Sequence, residues 1–474
     1  NAFHFTATFR VLGRAKQWRQ TLRLLKKMEE SSDPEMCPDV TTYTAAISAC
    51  ASSGRFSEAQ AILRGMEKRV TPNVFTFTTA ISACQQGAEW VTALQLLEKM
   101  VGIGVSPNVI TLNAAITACG RCGKNGEALK LLEMMEGTYG VEPDVYSFNA
   151  AISACAKAGD WKKALELLGE LEAHPTIQPD AYSMFGSIQA CGDAGMVNRA
   201  LGLLERMTSP DSLIPPNVDC YNAALSACTK GGHWRKAMGL LAQMKRQGVE
   251  RDVYSYSSAM SACEKAGRSG EALELLARMR ADGVAPNVVS FSAAISACGQ
   301  QGEWQRALEV MDDMVESGVD PDMISLSSLI DVLERSNKSD LADSVYRRAS
   351  GFGIFRAMWK NGEMTLDLHH TPSRVARVAV RAALTDFKTK AREPIDLLII
   401  TGRGKHSVGG VSVLPGAVRS FLREFAGPKA TMTNNPGSLK LKKRSIEDWL
   451  LTVWSQEHGY VHDDKMRQSI KFPR

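Results

Sequence analysis

The chain has 474 residues, 44% hydrophobic and 23% charged, a composition ordinary for a globular protein that excludes wholesale disorder. No stretch approaches about 18 uninterrupted apolar residues, so no membrane span is expected, and 11 cysteines in so long a chain are too sparse for a disulfide scaffold. The net charge of +5 is uneven: residues 355–474 carry 21 Lys and Arg against 11 Asp and Glu, leaving 35 against 40 before them, so the second part is the better partner for a polyanion.

At the start, Asn1-Ala2-Phe3-His4-Phe5-Thr6 aligns with Asn73-Val74-Phe75-Thr76-Phe77-Thr78. Asn1 is therefore expected to end a preceding unit of a longer array. Without an initiator Met, the lack of a targeting segment says nothing about compartment. A phrase then recurs: Pro with Asn or Asp, a hydroxyl- and aromatic-rich stretch, and AAISAC. Its proline slot falls at Pro38, Pro72, Pro107, Pro143, Pro179, Pro216, Arg251, Pro286 and Pro321, in steps of 34 to 37 residues.

Apolar positions in Phe148-Asn149-Ala150-Ala151-Ile152-Ser153-Ala154-Cys155 recur at helical spacing and predict a first helix. Gly159 is expected to close it, because glycine adopts the left-handed cap conformation at little cost. A second helix is predicted through Trp161, Ala164, Leu165, Leu167 and Leu168, stopped by the Gly/Pro-bearing link. Such a hairpin cannot bury its apolar face alone, so neighbours should stack. Cys50, Cys84, Cys119, Cys155, Cys191, Cys228, Cys263 and Cys298 share one slot, where a small buried residue suits close packing. Cys119-x-x-Cys122 includes that repeat cysteine and has no second such pair, so no metal site is assigned. Trp18, Trp90, Trp161, Trp234 and Trp304 open the second helix of alternate units, as packing wedges or as stacking platforms for bases.

The 35-residue period, the Gly-Val-x-Pro-Asn/Asp link and the signature Ala-Leu-Glu-Leu-Leu resemble the pentatricopeptide repeat proteins over residues 1–350. The resemblance implies a mainly α fold, a helical-hairpin repeat superhelix (an α-solenoid), binding single-stranded RNA at about one base per repeat. It places base choice on a unit's fifth and final residues. The pairs are Thr6 with Asp39, Thr44 with Asn73, Thr78 with Asn108, Asn113 with Asp144, Asn149 with Asp180, Phe185 with Asn217, Asn222 with Asp252, Ser257 with Asn287 and Ser292 with Asp322. Such short amides, hydroxyls and carboxylates can match the donors and acceptors of a base edge. Family usage translates them into GAAUUNUAG, read 5′ to 3′. Phe185 has no hydrogen-bonding group and should read no base, and the tenth unit, with Ser327 but no final partner, should cap the array. The alternative is that these polar residues only solvate a groove. The net charge of −5 on residues 1–354 means that base contacts and local basic residues must carry RNA affinity.

After a linker at 351–362, Met364-Thr365-Leu366-Asp367-Leu368 predicts a strand and residues 371–389 a helix with an Arg-rich exposed face. Asp396-Leu397-Leu398-Ile399-Ile400 predicts a buried strand, Thr401-Gly402-Arg403-Gly404-Lys405-His406-Ser407 a glycine loop, and Pro415 opens a further helix. This order implies a small α/β domain with helices covering a sheet. Asp367 and His369 at one strand end, with His406 at another, can supply a base, an acid and an orienting group for RNA transesterification or hydrolysis. Gly402, Arg403, Gly404 and Lys405 form a cationic loop suited to phosphate, without the Gly-Lys-Ser/Thr ending of nucleotide hydrolases.

Leu366-Asp367-Leu368-His369, the loop at 401–407 and Asn435-Pro436-Gly437-Ser438-Leu439 together resemble the small MutS-related domain over residues 363–455. That domain is a nicking or RNA-cleaving module often fused behind pentatricopeptide arrays. The resemblance implies catalytic roles for Asp367, His369 and His406; His370 stands where the family has glycine. Mg²⁺ is compatible with this chemistry, though no carboxylate cluster marks a site. Residues 456–474 read as a basic tail. The expectation is an array that selects single-stranded RNA and delivers an endonuclease-like domain, in a chloroplast or mitochondrion by family resemblance. A non-catalytic RNA clamp and a helical scaffold for protein partners in an organellar complex are the alternatives.

Overall fold

The computed structural model describes residues 2–31, 33, 36–87, 89–355, 358–360, 364–369, 371–402, 413–433, 435 and 437–458. The fold is mainly α, a helical-hairpin repeat array followed by a small α/β region, and it divides into two compact units, Asn1–Arg251 and Asp252–Arg474.

The first unit pairs α1 (Ala2–Arg14) with α2 (Trp18–Glu29), α3 (Val40–Ser52) with α4 (Phe56–Met66), α5 (Val74–Gly87) with α6 (Trp90–Gly102) and α7 (Val109–Arg121) with α8 (Asn125–Gly137). Next come α9 (Val145–Ala158) with α10 (Trp161–Ala173), α11 (Ala181–Asp193) with α12 (Val197–Thr208) and α13 (Val218–Gly231) with α14 (Trp234–Arg246). First helices start where the link delivers an Asn or Asp in extended conformation: Asp144, at φ −114°, accepts from the Ser147 backbone N–H. Helix α9 stops at Gly159, whose φ of 77° is left-handed, as expected. Second helices bury one stripe; in α10 it is Ala164, Leu167, Leu168 and Leu171.

First helices pack both on their own partners and on the first helices of neighbouring units. Small residues permit this: a Cβ on Gly120 would lie 2.8 Å from the Ala154 Cβ, and one on Gly192 2.9 Å from that of Ala227. The eight repeat cysteines of these first helices are each fully buried and none is disulfide-bonded. Half-buried Trp18, Trp90 and Trp161 each have one ring face taken by a cation of the following unit, Arg55 at 4.6 Å, Lys124 at 5.3 Å and Arg199 at 5.0 Å, which suits a wedge between units.

The second unit continues the hairpins with α15 (Val253–Lys265) and α16 (Ser269–Ala281), α17 (Val288–Gln300) and α18 (Trp304–Glu316), α19 (Met323–Arg335) and α20 (Ser339–Gly351). The α/β region follows: β1 (Trp359–Lys360), β2 (Thr365–Asp367), α21 (Ser373–Lys388), β3 (Leu397–Ile400), α22 (Leu414–Glu424), β4 (Ala430–Met432), β5 (Ser438–Leu441) and α23 (Lys443–His458). The sheet order is β1-β2-β3-β5-β4; β2 and β3 run parallel across the α21 crossover, and the other neighbours are antiparallel. Strand β1 lies within the stretch expected as a linker, and α23 runs into the stretch expected as a tail; residues 459–474 lie outside the described residues.

The arginine face of α21, expected in solvent, is instead docked on the last hairpin. Arg381 is 9% exposed and donates to Asp343 at 2.8 Å, Glu334 at 2.6 Å and the Ser339 carbonyl at 3.3 Å. Arg374 reaches Asp331 at 2.8 Å, and Arg347 of α20 reaches Asp386 at 3.1 Å. The cause is the acidic pattern on α19 and α20, which the arginine spacing of α21 matches.

Candidate functional site

In the array, each final Asn or Asp caps the next first helix, and a buried hydroxyl three residues on ties that cap to the fifth residue of the preceding unit. Ser147 donates through Oγ to Asn113 Oδ1 at 2.6 Å and to Asp144 Oδ1 at 2.9 Å, while Asn113 Nδ2 donates to Asp144 Oδ1 at 3.0 Å. Asn149, Ser183 and Asp180 repeat the triangle: Asn149 Nδ2 reaches Asp180 Oδ1 at 3.1 Å, and Ser183 Oγ reaches Asn149 Oδ1 at 2.5 Å. With threonine in the fifth place the bridge becomes hydroxyl to hydroxyl: Thr6 with Thr42 on Asp39, Thr44 with Thr76 on Asn73, and Thr78 with Thr111 on Asn108. Ser257, Ser290 and Asn287 do the same in the second unit. Burial raises the Asp39 carboxyl pKa, but the hydrogen bonds from Thr42 and Thr41 outweigh it and hold it below its ordinary value.

The sequence-derived pairs are thus brought together in six places, with three exceptions. Phe185 has no polar atom for Asn217, and Cys220 replaces the bridging hydroxyl there. Ser292 Oγ is buried without a partner, because Ser325 turns to the Asp322 carbonyl at 3.1 Å. Asn222 belongs to the first compact unit and Asp252 to the second.

Asn113, Asn149 and Asp180 line a groove of about 700 Å³ together with Ile110, Tyr146, Tyr182, Arg121 and Lys157. The apolar members belong to a series missed in the sequence: Phe75, Ile110, Tyr146, Tyr182, Tyr254, Val289 and Ile324 are large, exposed and two residues beyond a cap. Their 35-residue recurrence was the available signal. Arg121 and Lys157 supply local positive charge beside the polar pairs in an array that is acidic as a whole.

In the α/β region the motif fragments meet at one end of the sheet. Asp367 ends β2 in register with Ile400 of β3, and the backbone N–H groups of Thr401 and Gly402 donate to the Gly437 carbonyl at 2.8 and 3.1 Å. Gly402, at φ 77°, passes so close to His369 that a Cβ there would lie 3.4 Å from the His369 Cβ. The Asp367 carboxylate, 6% exposed, accepts from His369 Nδ1, from the His369 backbone N–H at 3.3 Å and from Lys360 Nζ. Burial raises its pKa, but the Lys360 and His369 hydrogen bonds hold it below the ordinary value. The half-exposed His369 thus commits Nδ1 to the carboxylate, which fixes the orientation of its ring. Lys360 was not anticipated, because a lysine in a two-residue strand carries no sequence signal. Arg403, Gly404, Lys405, His406 and His370 lie outside the described residues. Among the described residues no group of three His, Cys, Asp or Glu is placed to hold a metal ion, and no helix is long and apolar enough to cross a membrane.

Three family descriptions match the chain and together span more than half of it: the PPR repeat family at residues 38–86, 107–157 and 286–335, the pentatricopeptide repeat domain at 239–301, and the PPR repeat at 75–105, 146–174, 188–209 and 219–249. No curated protein sequence matches. Among solved structures, the pentatricopeptide repeat protein PPR10 from maize is similar at 22% identity with a TM-score of 0.56, over 100% of this chain and 70% of its own. PPR10 in complex with an 18-nucleotide psaJ RNA element is similar at 21% identity and a TM-score of 0.41, over 98% of this chain and 66% of its own. Nuclear proteinaceous RNase P 2 from A. thaliana is similar at 17% identity and a TM-score of 0.31, over 35% of this chain and 37% of its own. At these identities the likeness to maize PPR10 speaks for the fold.

Proposed function

We propose that this chain, which belongs to the pentatricopeptide repeat family, binds single-stranded RNA base by base along its array and presents the α/β region to cut the RNA 3′ of the bound element, in an organelle. The observation that carries the reading is the shared cap. Asn and Asp use the same oxygen, Oδ1, to cap the helix, as Asn108 does for Thr111 and Asp144 for Ser147. They differ only in the remaining atom, an amide donor in Asn and a carboxylate acceptor in Asp. An acceptor suits the imino N–H of uracil or guanine, and a donor suits the ring nitrogen of adenine, so exchanging the two changes the base favoured and leaves the cap in place. The exposed apolar series offers faces for the flanking bases.

Cleavage is assigned to Asp367 and His369. The carboxylate fixes the imidazole so that Nε2 takes the proton of the attacking 2′-hydroxyl or water, and Lys360 neutralises the carboxylate from its other side. The small MutS-related resemblance adds His406 as the acid and the loop from Gly402 to Lys405 as the phosphate cradle.

The test is end-labelled RNA carrying GAAUUNUAG with flanks, run on a denaturing gel beside the Asp367→Asn and His369→Ala variants. A discrete cut 3′ of the element, lost in both variants, is expected. Intact RNA despite binding would make the protein a clamp. Asn149→Thr with Asp180→Asn copies the Thr44 and Asn73 pair and should move the preference at the fifth base from uracil to adenine by about tenfold. An unchanged preference would remove base reading altogether.

A further inference from the structure

We infer that the sixth unit is a sequence-blind slot, holding its nucleotide by stacking on the Tyr182 and Phe185 rings instead of by the base edge. The inference rests on the RNA-binding reading above and concerns the one unit whose fifth residue carries no polar atom.

Phe185 does not stand alone. In the five preceding units a buried Ser or Thr hydroxyl links the fifth residue to the cap. A phenylalanine by itself would take from that fully buried hydroxyl its fifth-residue partner and leave it only the cap. Here the bridging position is Cys220, fully buried, whose weak S–H donor turns back to the Ala181 carbonyl at 3.5 Å. The polar triangle has been removed as a whole, so nothing in it is left unsatisfied. The cap survives, since Asn217 Oδ1 accepts from the Cys220 backbone N–H at 3.0 Å. Glycine also follows Phe185: a Cβ on Gly186 would lie 3.0 Å from Ile152 Cγ2, so the helix carrying Phe185 packs closely on its neighbour.

What remains is aromatic surface. The Tyr182 and Phe185 ring centroids are 5.7 Å apart at 57°, Tyr182 is 61% exposed, and Phe185 is half-buried. Tyr182 lines the same groove as Asn149 and Asp180, so the strand read by the fifth unit runs onto this pair. A phenyl ring set against a base edge would strip water from donors and acceptors and return no hydrogen bond, which disfavours edge recognition for every base. Every base has a π face, and stacking tolerates them all.

The experiment measures affinity of the full chain for five flanked RNAs, GAAUUNUAG with A, C, G, U or an abasic site at N, using wild type, Phe185→Ala and the double variant Phe185→Thr with Cys220→Thr. Wild type should bind the four bases within about threefold and lose tenfold or more with the abasic RNA. Phe185→Ala should weaken all four bases alike and narrow the abasic difference. The double variant recreates the Thr44, Thr76 and Asn73 arrangement and should favour adenine at N. Wild type that discriminates among bases at N by tenfold, or binds the abasic RNA as tightly as the others, overturns the slot while leaving base reading elsewhere intact. Binding of all five RNAs no tighter than a scrambled strand overturns the RNA reading itself, and the slot with it. Circular dichroism of each variant separates lost contacts from lost folding.

Discussion

Asp144 uses its two carboxylate oxygens unequally. Oδ1 accepts the Ser147 backbone N–H at 2.8 Å, the Ser147 hydroxyl and Asn113 Nδ2, while Oδ2 has no partner among the described residues. Asp144→Asn should therefore melt like wild type yet lose about tenfold in preference for uracil at the fourth base. Asp144→Ala should lose the preference and also about 1 kcal/mol of stability, because the cap goes too; urea titration beside RNA binding separates the two. The period gave the units, and the family resemblance made the pairing of Asn113 with Asp144 legible. The bridging serine was visible only as part of a hydroxyl-rich stretch, because nothing in one sequence tells a buried hydroxyl from a solvated one. Lys360 was illegible for a different reason: its partner Asp367 is reached only once β1 and β2 pair.

At the scale of the element, the first helices hold thiols that burial makes inert. Burial pushes Cys155 and Cys263 up to about 11, so the folded protein should expose only Cys37, and Cys122 more slowly, to a thiol reagent at pH 8. All 11 cysteines should react after denaturation, and a count by mass spectrometry checks this. The docking of α21 makes a second prediction. For Arg381, burial lowers the pKa, but Asp343 and Glu334 raise it further, so the guanidinium stays charged. Arg381→Ala would leave Glu334, with a side chain 6% exposed, beside Asp343 with no counter-charge. A loss of about 3 kcal/mol is expected, read as faster amide exchange in α21 and β3. Strand–helix order revealed β2, α21 and β3, whereas β4 and β5 are short and half polar and lack the apolar run that marks a buried strand.

For the whole molecule, burial and capping set a pH window. Asp39 and Asp367 have depressed pKa values, so their stabilisation is complete above the ordinary carboxylate range and is lost as pH falls below it through the depressed values. The repeat cysteines have raised values, so theirs is complete below about 9 and is lost as pH rises from there towards 11. Many equivalent thiols titrating together should make the alkaline edge steep. Thermal melts from pH 3 to 11 should show a plateau with a sharp alkaline fall, blunted when Cys155 and Cys191 are both replaced by alanine. The array was the most legible part because each unit restates the pattern of the last. The α/β region occurs once, so its sheet order and the neutralisation of its arginine face emerged only with the fold.

The division of labour within the cap has an evolutionary consequence. At Asp144 one oxygen maintains the helix, and on the proposed reading the other chooses the letter. On that reading, exchanging Asp for Asn rewrites one position of the target while keeping the hydrogen bond on which the helix start depends. A base-reading lineage of this kind would follow a drifting transcript through single, stability-neutral substitutions, never passing through an unfolded ancestor.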